Sequence, residues 1–276
     1  MKHSRKLKYA ALMVLLTIGA ALLASLCLSS HEPRYKGRTL SRWLTLGNDG
    51  RVEFREPARE AVTHIGTNAV PALLRMLRQK DSPLTKAIAK ISQRFRWLPE
   101  QRLAEDDHLN GGLGFLILTN QAASAIPDLI AIYHENISET SQHATFAALG
   151  AIGWTLASKP VLYEGLTNRY GPIRVLALWE LTPTNTPDVS VPILTQYLND
   201  PSQQVRSLAA SKLARFGTNA LPAVPALVRL ANTPGMLNHP AKLTLCAIDP
   251  KTAGKLMTNW GFNPLQPQTN DVIRPK

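Results

Sequence analysis

The chain has 276 residues, 45% of them apolar, which is enough to bury a core and far too many for a disordered polymer. Its formal net charge of +12 permits contact with nucleic acid or anionic lipid but decides nothing about fold. Two cysteines, Cys27 and Cys246, exclude a disulfide framework, and aromatic residues at only 6% suit helix-on-helix packing better than a β-sandwich.

Residues 1–30 begin with Lys2, Arg5, Lys6 and Lys8, contain no Asp or Glu, and carry the uncharged run Tyr9–Leu28. Rising ~1.5 Å per residue, a helix over that run reaches about 30 Å, the thickness of a bilayer hydrocarbon core. A retained anchor, a cleaved signal peptide and a lipoprotein signal compete for it. The window Ala24–Ser29 interleaves bulky leucines with small residues and gives no clean cleavage site, and Leu26 before Cys27 is too large for a lipidation site. The expectation is a single-pass anchor through residues 9–28, with secretion after cleavage as the alternative. The short basic tail favours N-in with the bulk of the chain periplasmic or extracytoplasmic, although Arg34, Lys36, Arg38 and Arg42 nearly balance the charge across the segment.

Residues 31–56 hold Gly37, Gly47 and Gly50 and read as a linker with one short helical turn. Leu40, Trp43 and Leu44, at i, i+3 and i+4, give that turn one apolar face with which to dock on the folded body.

From residue 57 the chain repeats. Gly66-Thr67-Asn68-Ala69-Val70-Pro71-Ala72 recurs as Gly217-Thr218-Asn219-Ala220-Leu221-Pro222-Ala223, each copy between an Ala-rich and a Leu-rich stretch. Gly ends one helix, Thr or Asn caps the next, and Pro is tolerated in the first turn, where its missing N–H had no partner. Pro127, Pro160, Pro192 and Pro225, each expected to open a helix, and Leu149, Leu181 and Leu213 mark a period of 32–33 residues. That period holds two helices of ~12 residues and two turns, the helix-hairpin class of solenoid. In Val205–Phe216 the apolar stripe is Val205, Leu208, Ala209, Leu213 and Phe216, with Arg206, Lys212 and Arg215 facing elsewhere. The interval Pro71–Pro127 is longer than one repeat, and an inserted loop is expected over residues 92–114, ending at Gly111-Gly112-Leu113-Gly114. Asp249-Pro250 starts a last short helix. The repeat region thus runs over 57–258, and 259–276 form a flexible tail.

Asn199-Asp200-Pro201-Ser202-Gln203-Gln204-Val205-Arg206 resembles the second half of a HEAT repeat, and Gly171-Pro172-Ile173-Arg174-Val175 resembles the same element one repeat earlier, with Asn168 in place of the Asp. The resemblance implies an all-α, HEAT-type α-solenoid of stacked antiparallel helix pairs, in which Asp200, Arg174 and Arg206 hydrogen-bond along the stack. The wider layout is similar to membrane-anchored HEAT-repeat proteins of Verrucomicrobia-like bacteria. Those show a Tyr-x-Gly-x-x-Leu-Ser-x-Trp-Leu element, here Tyr35 to Leu44, before an Ile-Gly-Thr-Asn-Ala turn, here from Ile65.

HEAT-like stacks include enzymes, and three features of this chain bear on that possibility. Of its two His-Glu pairs, His31-Glu32 adjoins the membrane segment and His134-Glu135 closes a helix, whereas a di-iron centre needs several such pairs converging. Arg94-Phe95-Arg96-Trp97 interleaves charge with aromatic as a nucleic-acid surface does, but the same residues suit a packed helix end. The Gly-rich run lacks the strand before it and the Lys-Ser/Thr after it that a phosphate loop has. No catalytic, cofactor-binding or metal-binding residues and no cofactor are therefore assigned. A non-catalytic scaffold that binds an unidentified protein partner on its concave face is expected, an enzyme or nucleic-acid module on the same scaffold being the alternative. The register makes Leu213→Asp costly, on the order of 3–5 kcal/mol, because it buries an unpaired charge between repeats. An unchanged melting temperature would contradict it.

Overall fold

The computed structural model describes residues 32–94, 102–180, 187–233 and 238–260. The apolar run 9–28, residues 95–99, Leu181 and the tail from Gly261 lie outside them. The chain divides into two compact units, one ending at Ser158 and one starting at Lys159. The described residues are all-α apart from a single two-stranded hairpin in the first unit.

That hairpin pairs β1 (Arg34–Tyr35) with β2 (Arg38–Thr39), Arg34 opposite Thr39. Its two turn residues, Lys36 and Gly37, both take positive φ (45° and 75°), as the tight turns that match strand twist require. Helix α1 (Leu40–Asn48) follows at once. The Thr39 hydroxyl accepts from the Arg42 N–H at 3.3 Å, and the Glu32 carboxylate accepts from both Ser41 N–H and Ser41 Oγ. The Trp43 indole donates to the Tyr35 carbonyl at 2.9 Å, and Leu40 and Leu44 are fully buried. The Tyr35-to-Leu44 element is therefore a capped joint between hairpin and helix, and the docking face assigned to Leu40, Trp43 and Leu44 holds. The linker expected over 31–56 does not: α1 packs on α2 (Val52–Ile65) as the first helix pair, with Pro57 inside α2. Gly50, at φ 75°, marks the turn between the pair, not an unstructured stretch.

Two further pairs complete this unit. Helix α3 (Val70–Leu77) packs on α5 (Ala104–Leu118), and α6 (Ile126–Glu135) packs on α7 (Glu139–Ile152). Helix α4 (Pro83–Arg94) is inserted between α3 and its partner. The expected loop over 92–114 is thus corrected: the insertion lies earlier and contains a helix, while residues 104–114 belong to α5. The run Glu105-Asp106-Asp107 is the first turn of α5, where acidic side chains meet the positive end of the helix dipole. The Asp81 carboxylate accepts from the Ala104 N–H at 2.8 Å, so the excursion leaves and returns at one pinned stem. Gly111-Gly112-Leu113-Gly114 lies mid-helix. A methyl at Gly114 would stand 2.3 Å from Leu73 Cδ2, one at Gly111 3.1 Å from the Leu73 carbonyl, and one at Gly112 3.1 Å from Ala144 Cβ. These glycines let α3 and α7 approach α5 closely, which explains them better than the end of a loop does.

By length and composition Ala104–Glu135 is apolar enough to cross a membrane. It is broken at Thr119 (φ 50°, ψ −133°), however, and Phe115, Leu118, Ala122, Ala125 and Leu129 along it are buried in this unit. Its apolarity serves the core.

The repeated Gly-Thr-Asn turn is built differently from expectation. Gly66 ends its helix at positive φ (60°), whereas Gly217, at φ 53°, follows the Arg215 C-cap and opens the next turn, and in neither copy does a side chain cap the next helix. Gly66–Ala69 and Gly217–Ala223 form 3₁₀ turns that lead directly into the following helix, tightening the chain instead of capping it. Thr119 occupies the same place before a third 3₁₀ turn, Thr119–Ala125.

In the second unit, α8 (Lys159–Leu166) pairs with α9 (Gly171–Glu180), α10 (Pro187–Tyr197) with α11 (Gln203–Ala214), and α12 (Val224–Ala231) with α13 (Asn238–Ile248), closed by α14 (Pro250–Trp260). The second helices α9, α11 and α13 pack in succession. Pro127 and Pro225 fall in the first turn of their helices, but Pro192 lies inside α10, which starts five residues earlier than the period suggests. Val205, Ala209 and Leu213 have no exposed surface, and Leu208 is only half-buried.

Two substitutions separate packing from propensity. Gly254→Ala in α14, where a methyl meets nothing within 4 Å, should stabilise by roughly 0.5–1 kcal/mol. Gly114→Ala makes the same change in propensity but should destabilise by about 1–3 kcal/mol through overpacking against Leu73. Urea denaturation of both variants checks the contrast of sign.

Candidate functional site

In the second unit, two charged contacts fix the spacing of α9 and α11. At the N-terminal end, Arg174 donates through Nε and Nη2 to both carboxylate oxygens of Asp200, at 2.8 and 2.7 Å. Both side chains are buried, and the planar fork of the guanidinium matches the carboxylate, so the pair carries two parallel bonds. Arg174 Nη1 also donates to the carbonyls of Asn168 and Arg169, while Asp200 Oδ1 accepts from the Ser202 N–H. One repeat later Arg206 does the same, donating to the carbonyls of Asp200 and Pro201. Of the hydrogen bonding along the stack implied for Asp200, Arg174 and Arg206 by the HEAT resemblance, the Arg174–Asp200 pair is present, whereas Arg206 bonds within its own repeat.

At the other end, Lys212 of α11 donates to the Trp179 carbonyl at the close of α9, and its ammonium lies 5.3 Å from the Trp179 ring centroid. Lys212 is 3% exposed. Burial lowers its pKa, Arg215 acts in the same direction, and Glu180 opposes them. Its placement corrects the outward-facing reading of this residue. Seven residues after Val205 and three after Ala209, it belongs by helical geometry to the buried stripe, and only its charge disguised it.

Between the two contacts an open groove of about 980 Å³ runs along α9 and α11, lined by Val175, Trp179 and Leu208 and by the polar side chains of Ser202, Gln203, Gln204, Ser207 and Ser211. Trp179 is 56% exposed although it is anchored from below by its own carbonyl. Among the described residues that line the groove, none is charged. Sequence reading missed Trp179 because a lone aromatic at a helix end carries no periodic signal.

Other candidates are occupied by structure. His108 is buried and bridges Thr140 Oγ1 at 2.8 Å and the Gln79 carbonyl at 2.9 Å, which places its proton on Nε2. The pocket beside Thr45, Asn48 and Asn110 is crossed by Asn48 Nδ2 donating to Asn110 Oδ1 at 2.7 Å and Asn110 Nδ2 donating to Thr45 Oγ1 at 3.2 Å. Glu60 accepts from the Tyr35 hydroxyl and the Lys36 ammonium, which hold its carboxyl below the usual range. Of the His-Glu pairs, Glu135 is bonded to Arg78 at 3.1 Å and Glu32 caps α1, while His31 lies outside the described residues. Among the described residues no three His, Cys, Asp or Glu side chains gather as a metal site would.

The groove's α11 wall falls in a segment that resembles a known repeat family. Residues 191–220 match the HEAT repeat family model. The match covers most of α10, all of α11 and the turn after it, and it supports a HEAT-repeat family. No curated protein matches the chain. HEAT repeats generally serve as protein-interaction scaffolds and are typically non-catalytic. Asp200, within the match, is the carboxylate that Arg174 of α9 grips from outside it.

Arg174→Met leaves the Asp200 carboxylate buried without its partner and should cost about 3–5 kcal/mol. Adding Asp200→Asn to that variant should recover part of the loss. A double-mutant cycle in urea checks this, and strict additivity of the two single changes would contradict the clamp.

Proposed function

We propose that the chain is a non-catalytic interaction scaffold that receives an extended segment of a protein partner in the groove between α9 and α11. One observation carries this reading: Trp179 is held exposed on a rigid floor, between two charged contacts that fix the groove's width. An exposed, immobilised indole loses little entropy when a partner covers it, and aromatic side chains dominate the energetics of protein interfaces. Ser207, Ser211, Gln203 and Gln204 offer donors and acceptors along the same floor, suited to the backbone of an extended peptide. The scaffold role general to HEAT repeats supports the reading. A nucleic-acid ligand fits less well, because phosphates call for cations and these walls carry none.

Residues 9–28 anchor this scaffold in a membrane, in our reading, with the N-terminus inside and the bulk extracytoplasmic. The support is the length of the uncharged run and the basic tail before it.

A photo-crosslinking residue placed at Ser207 or Ser211 of the full chain, in its native cells, should trap a protein, whereas one at the exposed Gln196 of α10 should not. Trp179→Ala should reduce the adduct, with a loss of about 2 kcal/mol in binding to the trapped protein. Equal trapping from Gln196, or indifference to Trp179→Ala, would overturn the groove as the site.

A further inference from the structure

Helix α4 is an addition to the repeat, and among the described residues no helix packs extensively on one of its faces. At about 100° per residue, Leu84, Ile88 and Ile91 fall within an arc of about 60°. They are 69%, 41% and 52% exposed. A second arc carries Thr85, Ala89 and Ser92, of which Ala89 is buried, so the helix rests on the body through small side chains. A third carries Lys86 and Lys90, both exposed. Among the described residues no other helix packs extensively on α4. The sequence of α4, PLTKAIAKISQR, contains three cations and no carboxylate. An isolated helix of about 12 residues is marginal in water, so a second surface against the aliphatic stripe would complete its stabilisation.

We propose that this surface is an anionic lipid bilayer, on which α4 lies as an interfacial helix with Leu84, Ile88 and Ile91 at the headgroup boundary and Lys86 and Lys90 serving the lipid phosphates. An exposed apolar face set against a purely basic polar face is the signature of such helices. The stripe is bordered by the protein body on one side and by Lys90 on the other. Lys90 can therefore lay its methylenes along the boundary and hold its ammonium among the headgroups. A second copy of the chain is a poorer occupant. Three aliphatic side chains fall far short of the roughly 1,200 Å² that stable interfaces bury, and two such helices would set lysine against lysine. The pinned stem, where Asp81 accepts from the Ala104 N–H, makes α4 an appendage that can meet a surface without rearranging the core. The proposal stands without the anchor of residues 9–28, which would add only local concentration.

The test uses the full chain with an environment-sensitive fluorescent residue at Ile88, mixed with vesicles of phosphatidylcholine containing about a quarter phosphatidylglycerol. Brominated acyl chains should quench that probe, and should leave a probe at Gln196 untouched. Quenching should vanish on pure phosphatidylcholine and at high salt, since the attraction is screened. Each basic residue near such a surface multiplies partitioning about fivefold, so Lys86→Glu with Lys90→Glu should weaken it at least about 25-fold. An unquenched Ile88 probe on anionic vesicles, or quenching unchanged by the charge reversal, would overturn the proposal. Flotation with pure phosphatidylcholine vesicles reports the anchor separately. Flotation without Ile88 quenching on the anionic vesicles sinks α4 alone, and quenching there without flotation sinks the anchor alone.

Discussion

Short helices leave four carbonyls each without an intrahelical partner, and a stack of them buries those ends where water cannot help. The helices here range from eight to fifteen residues, so the orphan carbonyls are a large share of the backbone. The chain meets this constraint with polar side chains that reach across from a neighbouring helix. Ser141 donates to the Leu77 carbonyl at 2.6 Å and His108 to that of Gln79, at the end of α3. Tyr197 donates to the Leu166 carbonyl at the end of α8, Arg174 to those of Asn168 and Arg169, and Lys212 to that of Trp179 at the end of α9. Each bond satisfies an orphan and sets the distance to the next helix in the same step. This is why buried Arg, Lys and His occur in a core dominated by Leu, Ala, Ile and Val.

The groove on α9 and α11 follows from that arrangement. Two of these bonds lie at its two ends, so the helices can neither close over Trp179 nor spread apart. The burial of Lys212 would be costly for an ammonium left alone, and here the carbonyl and the indole face both receive it. A residue spent on holding helix ends leaves its neighbours on the open face free of structural duty. Ser207 and Ser211 sit one turn apart beside Trp179, and Ser211 Oγ donates within its own helix, to the Ser207 carbonyl at 3.0 Å.

Much of the fold was legible because its turns repeat. Gly66 and Gly217 sit at positive φ, where only glycine is free of strain, so the motif around them is a direct imprint of backbone geometry. The third copy was illegible because Thr119 holds the same φ without being glycine. Residues 31–56 looked like a linker because Gly37 and Gly50 are turn residues, and composition alone cannot separate a tight turn from a loose one. The run over 104–114 misled in the opposite way. Its glycines signalled breakage, whereas at Gly111, Gly112 and Gly114 they serve close packing within a helix whose acidic first turn was the better clue. Of the site, the Arg174–Asp200 clamp was readable from the HEAT resemblance. Trp179 was not, since exposure at a helix end depends on what the neighbouring helix omits.

The insertion of α4 bears on how such a stack acquires a second use. Lengthening a connection costs little in closure entropy, because the penalty grows only with the logarithm of length, and the Asp81 to Ala104 bond restores the register that the repeat needs. What the inserted segment brings is charge of one sign, whereas the groove walls are neutral. Salt screens contacts between exposed charges but hardly touches the burial of an indole or hydrogen bonds to serine and glutamine. Contact through α4 and contact through the groove therefore respond to different variables, ionic strength and lipid charge for one, shape and hydrogen bonding for the other.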